Sequence, residues 1–332
     1  MWGFDQTRSR TPIATDCSRV FLAHNLFDAP AKWPYLSRML KIFKPIKALW
    51  QRLPFSADPK PLVTVIDLRG VIGDTGGPGR KGLTLARVEG AIEAAFKPDN
   101  LTAVALSINS PGGSPVQSRL IHNAIRREAV KKNVPVLAFV EDVGASGGYI
   151  LSIAGDEIYA DESSIVGSIG VIAATFGFHE SIKRLGIERR VHTAGESKSQ
   201  LDAFQPEDPD DVDRLKKILD ALHRQFIDLV KERRGTALSG EPETFSGAFW
   251  TADDAKSLGL IDGIAQLGDF LPTRFGEDVI VKKIASEKSS LLKRLLNSDA
   301  QIAVANAEGN LIDADNIIAT AQARALWARY GM

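Results

Sequence analysis

The residue with the clearest chemical meaning in this sequence is a serine in a run of small residues. Ser146 lies within Gly144–Gly148, between an apolar run that predicts a strand, Val134–Val140, and a run that predicts a helix, Tyr149–Ala154. A strand–turn–helix junction holds a hydroxyl at the mouth of a site. The adjacent glycines, Gly147 included, let backbone N–H groups point at the same place. The pattern predicts that Ser146 is a nucleophile.

A nucleophilic serine needs an oxyanion hole, and a second glycine-rich loop could provide it. The loop Asn109–Ser114 closes the preceding apolar strand. Within this loop, Gly112 and Gly113 offer backbone N–H groups that no side chain obstructs. One oxyanion donor is typically worth on the order of 3 kcal/mol of transition-state stabilisation. We therefore expect these two glycines to bind the substrate carbonyl.

The serine also needs a base, and a lysine is the candidate. Lys198 lies in the polar stretch Gly195–Ser199. A free lysine has a pKa of about 10.4 and is protonated at neutral pH, but burial in an apolar site lowers that pKa. The sequence thus predicts a Ser–Lys dyad with Lys198 in a dry pocket, which a seam between subunits could provide.

Composition excludes several other kinds of chemistry. The chain has 41 basic and 41 acidic residues, so no global field favours nucleic acid. Cys17 is its only cysteine, which rules out an internal disulfide framework and indicates a reducing compartment. The five histidines are scattered without metal-ligand spacing. We predict neither a metal nor a cofactor.

The sequence also bears on location. No stretch reaches the roughly 18 uncharged apolar residues of a membrane span, and the N-terminus lacks the pattern of a secretory signal. Residues 33–55 carry five basic and no acidic residues, with apolar residues on one helical face. This pattern favours a basic amphipathic helix on an anionic membrane surface. The alternative is a helix docked on its own domain or on a partner. Pro45 weakens a continuous helix. We expect a cytoplasmic protein, with peripheral contact at the inner membrane face if the first interpretation holds.

Apolar runs alternate with helical periodicity from Pro61 onward, which predicts an α/β domain built of βαβ units. Strands are predicted at Leu62–Leu68, Ala103–Ile108, Val134–Val140, Glu157–Ala160, Val171–Thr175 and Arg189–Thr193. Helices are predicted at Leu83–Phe96, Val116–Lys132, Asp210–Arg233 and Thr251–Leu258. The domain organisation we expect is a tail and amphipathic segment at 1–60, the α/β domain at 61–272, and an extension of one strand, Asp278–Val281, and helices at 273–332.

Several motifs in this order resemble peptidase family S49. They are Ser107–Ser114, Ala145–Tyr149, Val166–Val171, Gly195–Ser199 and Ala255–Asp262, and the resemblance covers about Leu62 to Gly268. It implies the crotonase/Clp-protease-like fold, a β-superhelical α/β spiral, and cleavage of peptide bonds, including those of signal peptides.

The same resemblance implies residue roles and a partner. Ser146 would be the nucleophile, Lys198 the general base, Gly113 an oxyanion donor and Ser168 a hydroxyl that orients the lysine. Short members form homo-oligomeric rings in which serine and lysine come from adjacent subunits. We expect the chain to depart from the family in lacking the usual N-terminal anchor, and Ser197 stands where an aromatic residue often precedes the lysine.

Three other functions compete with this interpretation. An α/β-hydrolase would need a histidine late in the chain, and the last one, His223, lies within a predicted helix. A crotonase-type acyl-CoA enzyme would share the fold but would leave Ser146 and Lys198 without a purpose. A non-catalytic ring scaffold would keep its cellular function after Ser146→Ala. Each site residue taken alone also has a structural explanation, because glycines make turns and loop lysines are solvated.

Overall fold

A mostly parallel β-sheet forms the centre of the molecule. The computed structural model describes residues 60–74, 82–285, 321 and 323–332. The predicted tail, the segment 33–55 and much of the predicted C-terminal extension lie outside the described residues, and the domain boundaries at 60 and 272 stay predictions.

The described ranges contribute eight strands to this sheet. They are β1 (Leu62–Arg69), β2 (Leu101–Ser110), β3 (Val136–Ala145), β4 (Glu157–Ala160), β5 (Ile165–Gly167), β6 (Phe249–Thr251), β7 (Gly263–Ile264) and β8 (Ile280–Ile284). The order across the sheet is β6-β5-β3-β2-β1-β8, and β4 pairs with β3 and β7. Among these eight described strands, only the β5–β6 pair is antiparallel.

Helices connect these strands and cover both faces of the sheet. They are α1 (Leu85–Ala95), α2 (Pro115–Lys132), α3 (Gly147–Ser152), α4 (His179–Arg184), α5 (Pro209–Arg234), α6 (Ala252–Ser257) and α7 (Leu267–Phe275). Residues 323–328 are also helical, and we call residues 323–332 the C-terminal segment. The predicted α/β class is therefore confirmed.

Side-chain alternation divides the core into two layers. One layer contains Ile66, Leu106 and Ala138 and packs against α1, α2, α3 and α5. The other contains Val65 and the aromatic ring of Phe139, with Leu271 of α7 against them. Because both faces of β1, β2 and β3 are covered, these strands read in sequence as continuous apolar runs.

The helix boundaries follow from capping groups. The Ser114 side chain accepts from the N–H of Gln117 at the start of α2, and Asn133 ends that helix in the left-handed region. The predicted cap at Thr251 is also present, since its side chain accepts from the N–H of Asp254. These caps place the ends of α2 and α6 within about two residues of the positions expected from sequence.

The outer edge of β3 changes partner along its length. Its first half pairs with β4 and its last three residues, Val143–Ala145, pair with β5. A register shift near Ser110 marks the same level on the β2 side. The end of β3 is thereby held between β2 and β5, directly before Ser146.

Two predicted strands are wrong. Val171–Thr175 and Arg189–Thr193 are not in the sheet, and β5 is a strand that the sequence analysis missed. Residues 171–210, all of them described, form an arm in which no residue is buried. Apolar runs in this arm have no neighbouring strand among the described residues to complete their backbone hydrogen bonds, so they do not become β-structure.

The longest described helix, α5, has 26 residues and exposes charged residues on one side. Among the described helices, none has an apolar stretch that could cross a membrane.

Candidate active site

Ser146 occupies the turn between β3 and α3, as the sequence predicts. Its φ is 53° and its ψ is −121°, a conformation that non-glycine residues rarely adopt. Its N–H donates to the carbonyl oxygen of Gly167 at 2.8 Å. Holding a residue in such a conformation costs on the order of 1–3 kcal/mol and is common at functional sites. The turn presents the Ser146 hydroxyl to a cavity rather than to the core.

Close backbone contacts explain the glycines around Ser146. A Cβ on Gly112 would lie 2.8 Å from the Cβ of Ser146 and from the nitrogen of Gly147. A Cβ on Gly147 would in turn overlap the hydroxyl of Ser118. The two predicted loops therefore meet at the serine, and only glycine fits at their contact.

Gly113 presents an N–H group that no described residue accepts. The N–H of Ile72 donates to Gly112 at 2.8 Å, and Ser114 donates to the carbonyl of Ile72 at 2.7 Å. In this parallel bridge the N–H of Gly113 points away from Ile72, and Gly113 lines the same cavity as Ser146. Its φ of 141° and the overlap that a Cβ would make with Ile72 both require glycine.

A second donor comes from the start of α3. Gly147 is the first residue of that helix, where N–H groups have no intrahelical acceptor. Gly113 and Gly147 both line the cavity beside Ser146. The arrangement can stabilise negative charge on an oxygen bonded to the carbon that the serine attacks.

Ser168 is buried next to this turn. Only 4% of its surface is exposed, and its φ of 52° is also in the left-handed region. Its N–H donates to Ala248 at 2.7 Å, which fixes the backbone that follows β5. Its hydroxyl makes no hydrogen bond to the described residues and is free to contact another group.

An apolar cavity of about 250 Å³ opens in front of the serine. Its walls come from the loops at 111–113 and 170–172, from α2, α3 and α5, and from the C-terminal segment. Apolar residues of the wall include Val116, Ile150, Val171, Ile172, Leu222, Phe226, Leu229 and Leu326. Such a cavity can hold an apolar side chain close to the nucleophile.

Lys198 lies elsewhere in the chain. It is exposed within the arm, and its N–H donates to Gly195 at 3.2 Å. The neighbouring Ser197 accepts from Arg214 of α5 at 2.7 Å. Lys198 does not line the cavity of Ser146, and no hydrogen bond among the described residues joins the two. Within one chain the structure brings Ser146, Ser168, Gly112, Gly113 and Gly147 together, and it leaves Lys198 apart.

His223 is not placed to act as a base for Ser146. Its Nε2 donates to the carbonyl oxygen of Ile169 at 2.9 Å, so this nitrogen is occupied by backbone. The geometry gives no support to an α/β-hydrolase triad at Ser146.

The sequence analysis missed a group of hydrogen bonds and an ion pair behind α3. The Tyr149 hydroxyl donates to Leu260 at 2.7 Å, and burial raises the pKa of that hydroxyl well above its usual range. Arg234 binds both carboxylate oxygens of Asp262 at 2.9 Å and donates to Gly259 at 2.8 Å. The motif containing Asp262 was the available signal, but nothing in the sequence pointed to Arg234 as its partner.

The fold and the site define an α/β protein with a serine on a strained turn and two backbone donors beside it. Residues 128–273 match Peptidase family S49. This part of the chain is therefore similar to peptidase family S49, as its motifs indicated.

Individual relatives have different names. The chain is 48% identical over 273 residues to a protein of Brucella abortus named "Na(+)/H(+) antiporter NhaA", covering 81% of this chain and 37% of the relative. It is 30% identical over 212 residues to "Protease 4" of Haemophilus influenzae, covering 62% of this chain and 33% of the relative. The chain thus spans about a third of each of these relatives.

A solved structure of a 1510-N membrane-bound stomatin-specific protease variant with a substrate peptide is also similar. The TM-score is 0.43 and the identity 15%, covering 73% of this chain and all of that one.

Proposed function

We propose that the protein is a serine endopeptidase that cleaves apolar, extended peptides through a Ser–Lys dyad and an acyl-enzyme. The observation that carries this proposal is the convergence of the Ser146 hydroxyl with the N–H groups of Gly113 and Gly147 at an apolar cavity. Signal-peptide remnants are substrates of the matching chemistry, because they are apolar and extended.

The reaction follows from these groups. Ser146 Oγ attacks the peptide carbonyl carbon while its proton moves to the neutral amine of Lys198, and the carbonyl oxygen becomes an oxyanion held by Gly113 and Gly147. The C–N bond then breaks, and the Lys198 ammonium returns its proton to the leaving amine. Water hydrolyses the acyl-enzyme by the same proton route, releasing the carboxylic acid and regenerating Ser146.

We further propose that a second copy of the chain supplies Lys198. The base is exposed in its own chain, whereas the proposed proton transfer requires it to lie in a dry, apolar site. The arm that carries it exposes several large apolar side chains: Ile172, Phe176, Phe178, Leu185, Ile187, Val191 and Phe204. A surface of this kind is typical of protein–protein contact. In a homo-oligomeric ring the arm would cover the cavity of its neighbour, where Ser168 could orient the lysine.

The decisive test mixes two inactive variants. Ser146→Ala and Lys198→Ala should each abolish peptide cleavage, and mixing them under subunit exchange should restore part of it, because some interfaces then pair an intact serine with an intact lysine. Lys183→Ala, on α4 of the same exposed arm, is the control and should stay active. A fluorophosphonate probe should label Ser146. Near wild-type cleavage by Lys198→Ala would disprove the dyad, and absence of labelling would favour a scaffold.

Membrane contact through residues 33–55 is a separate proposal, supported by the basic, acid-free composition of that segment. It would bring a cytoplasmic peptidase to the surface where apolar peptides are released. Full-length protein should sediment with anionic liposomes more than protein starting at Ser56, and equal sedimentation would contradict the tether.

A further inference from the structure

Two arginine side chains border the cavity in front of Ser146. Arg119 comes from α2, and Arg329 comes from the C-terminal segment. Both residues are exposed. We propose that they form a carboxylate-binding subsite, so that the preferred substrates are apolar peptides carrying a carboxylate near the cleaved bond. This proposal rests on the peptidase function proposed above and adds a substrate class to it.

Neither guanidinium has an acidic partner among the described residues. Other arginines nearby in the fold are paired, as Arg126 is with Asp156 and Arg234 with Asp262. Arg119 makes no hydrogen bond or ion pair to described residues, and Arg329 lies 6.0 Å from the ring centre of Tyr330. The donors of both side chains are thus available to a ligand.

The surroundings make the cavity favourable for an anion. Its described lining contains these two arginines and no aspartate or glutamate. The start of α2 also faces it through Pro115 and Val116, and the first turn of this 18-residue helix has no acidic residue. The positive end of the helix dipole adds to the field of the guanidinium groups.

The position of the arginines relative to the apolar wall defines the ligand. The cavity of about 250 Å³ accepts an apolar side chain, while Arg119 and Arg329 stand at its border. Guanidinium groups bind carboxylates through charge-assisted hydrogen bonds. In a peptide, that carboxylate is either an aspartate or glutamate side chain or the free C-terminus, and both would meet the same two groups.

Matched quenched-fluorescent peptides separate these sources. One apolar sequence is made with Glu or Gln near the cut, and a second pair differs only in a free or amidated C-terminus. We expect the wild-type kcat/KM to be about fivefold higher for the charged member of at least one pair, the upper end of the effect of an ion pair between exposed groups. The pair that shows the preference identifies the source, and 0.5 M salt should reduce the ratio.

Variants assign the preference to the two arginines. Arg119→Gln and Arg329→Gln should lower the charged-to-neutral ratio toward one, and Arg119→Glu should shift preference to a peptide with Lys at the tested position. The control, Arg127→Gln, changes an arginine of the same helix outside the cavity and should keep the wild-type ratio. The same ratio in wild type and in all arginine variants would overturn the proposal, as would a wild-type ratio of one for both pairs.

Peptide binding separates this proposal from the peptidase function. Fluorescence anisotropy of the four peptides with Ser146→Ala protein reports the subsite without turnover. Preferential binding of the charged peptides without cleavage by wild type would retain the subsite and reject the peptidase. Cleavage of all four peptides at equal rates, with equal binding, would reject the subsite and retain the peptidase.

Discussion

The N–H of Ser146 donates to the carbonyl oxygen of Gly167 at 2.8 Å. This bond continues the β3–β5 pairing by one residue and fixes the turn from the outer edge of the sheet. On the inner side, Gly112 lies so close to the turn that a Cβ on it would be 2.8 Å from the Cβ of Ser146. The strained conformation of the serine is therefore imposed by its two neighbours.

The strain at Ser146 should be measurable as a difference in unfolding free energy between variants at this position. Ser146→Ala and Ser146→Gly should both abolish peptide cleavage, because each removes the hydroxyl. Glycine adopts a φ of 53° with a ψ of −121° freely, so the glycine variant should be more stable than the alanine variant by about 1 kcal/mol. Urea unfolding of the two proteins measures the difference. An alanine variant as stable as the glycine variant would show that the turn is not strained.

The loop Asn109–Ser114 should tolerate no side chain at Gly113. In Gly113→Ala the new methyl group would overlap the carbonyl of Ile72, and the loop would have to move its N–H away from the cavity. We expect kcat to fall by roughly 10²–10³, the usual cost of one lost oxyanion donor. Gly90→Ala on α1 has open space around its Cβ and should keep full activity. Equal kcat values for the two variants would show that Gly113 is not an oxyanion donor.

The ion pair behind α3 should matter more for stability than surface pairs do. The Arg234 side chain is 6% exposed, so Arg234→Met leaves Asp262 without its bidentate partner in a partly buried place. We expect unfolding free energy to fall by about 3 kcal/mol. Arg190→Met breaks an exposed pair with Glu188 and should leave the unfolding midpoint close to that of wild type. Urea midpoints compare the two, and similar losses would contradict the assigned role.

Much of this fold could be predicted because its strands are covered on both faces. Buried central strands leave apolar runs that are visible in sequence, and Ser146 was predicted from the small residues at the end of β3. In the arm, residues 171–210, the strands predicted from sequence are wrong. Val171–Thr175 has the composition of a strand, but the described part of the chain offers it no partner strand. The distance of Lys198 from Ser146 and the approach of Arg329 to the cavity are long-range relationships, which local sequence patterns do not encode.

Burial of His122 should make stability depend on pH. Burial is the main cause that lowers the pKa of His122, and the positive charges of Arg233 and Arg126 lower it further. The unfolded chain, with a histidine pKa of about 6.5, binds a proton before the folded one does. The stabilising effect is therefore complete above pH 6.5 and is lost as pH falls below it.

His122→Gln tests this dependence directly. The variant removes the titrating group, so it should lose less stability than wild type between pH 7.5 and pH 5.5. His192→Gln changes an exposed histidine in the arm and should keep the wild-type profile. Urea midpoints across this range provide the comparison, and identical pH profiles for wild type and His122→Gln would refute the prediction.

The arm should matter for assembly and not for folding. Phe176 is 72% exposed, and its ring lies 6.1 Å from that of Phe178. Because no residue of the arm is buried in its own chain, Phe176→Asp should leave the circular dichroism spectrum and the unfolding midpoint unchanged. In an assembly, the same change would put an unpaired carboxylate into an apolar contact, which costs several kcal/mol.

We therefore expect Phe176→Asp to be monomeric in light scattering and to have lost peptide cleavage, since a separated chain keeps Ser146 without a base nearby. Val130→Asp provides the matched control, because Val130 is equally exposed on α2, outside the arm. It should assemble and cleave like wild type. A monomeric Phe176→Asp with full activity would mean that one chain completes its own site, and an assembled but inactive variant would mean that Phe176 acts on the site and not on the contact between copies.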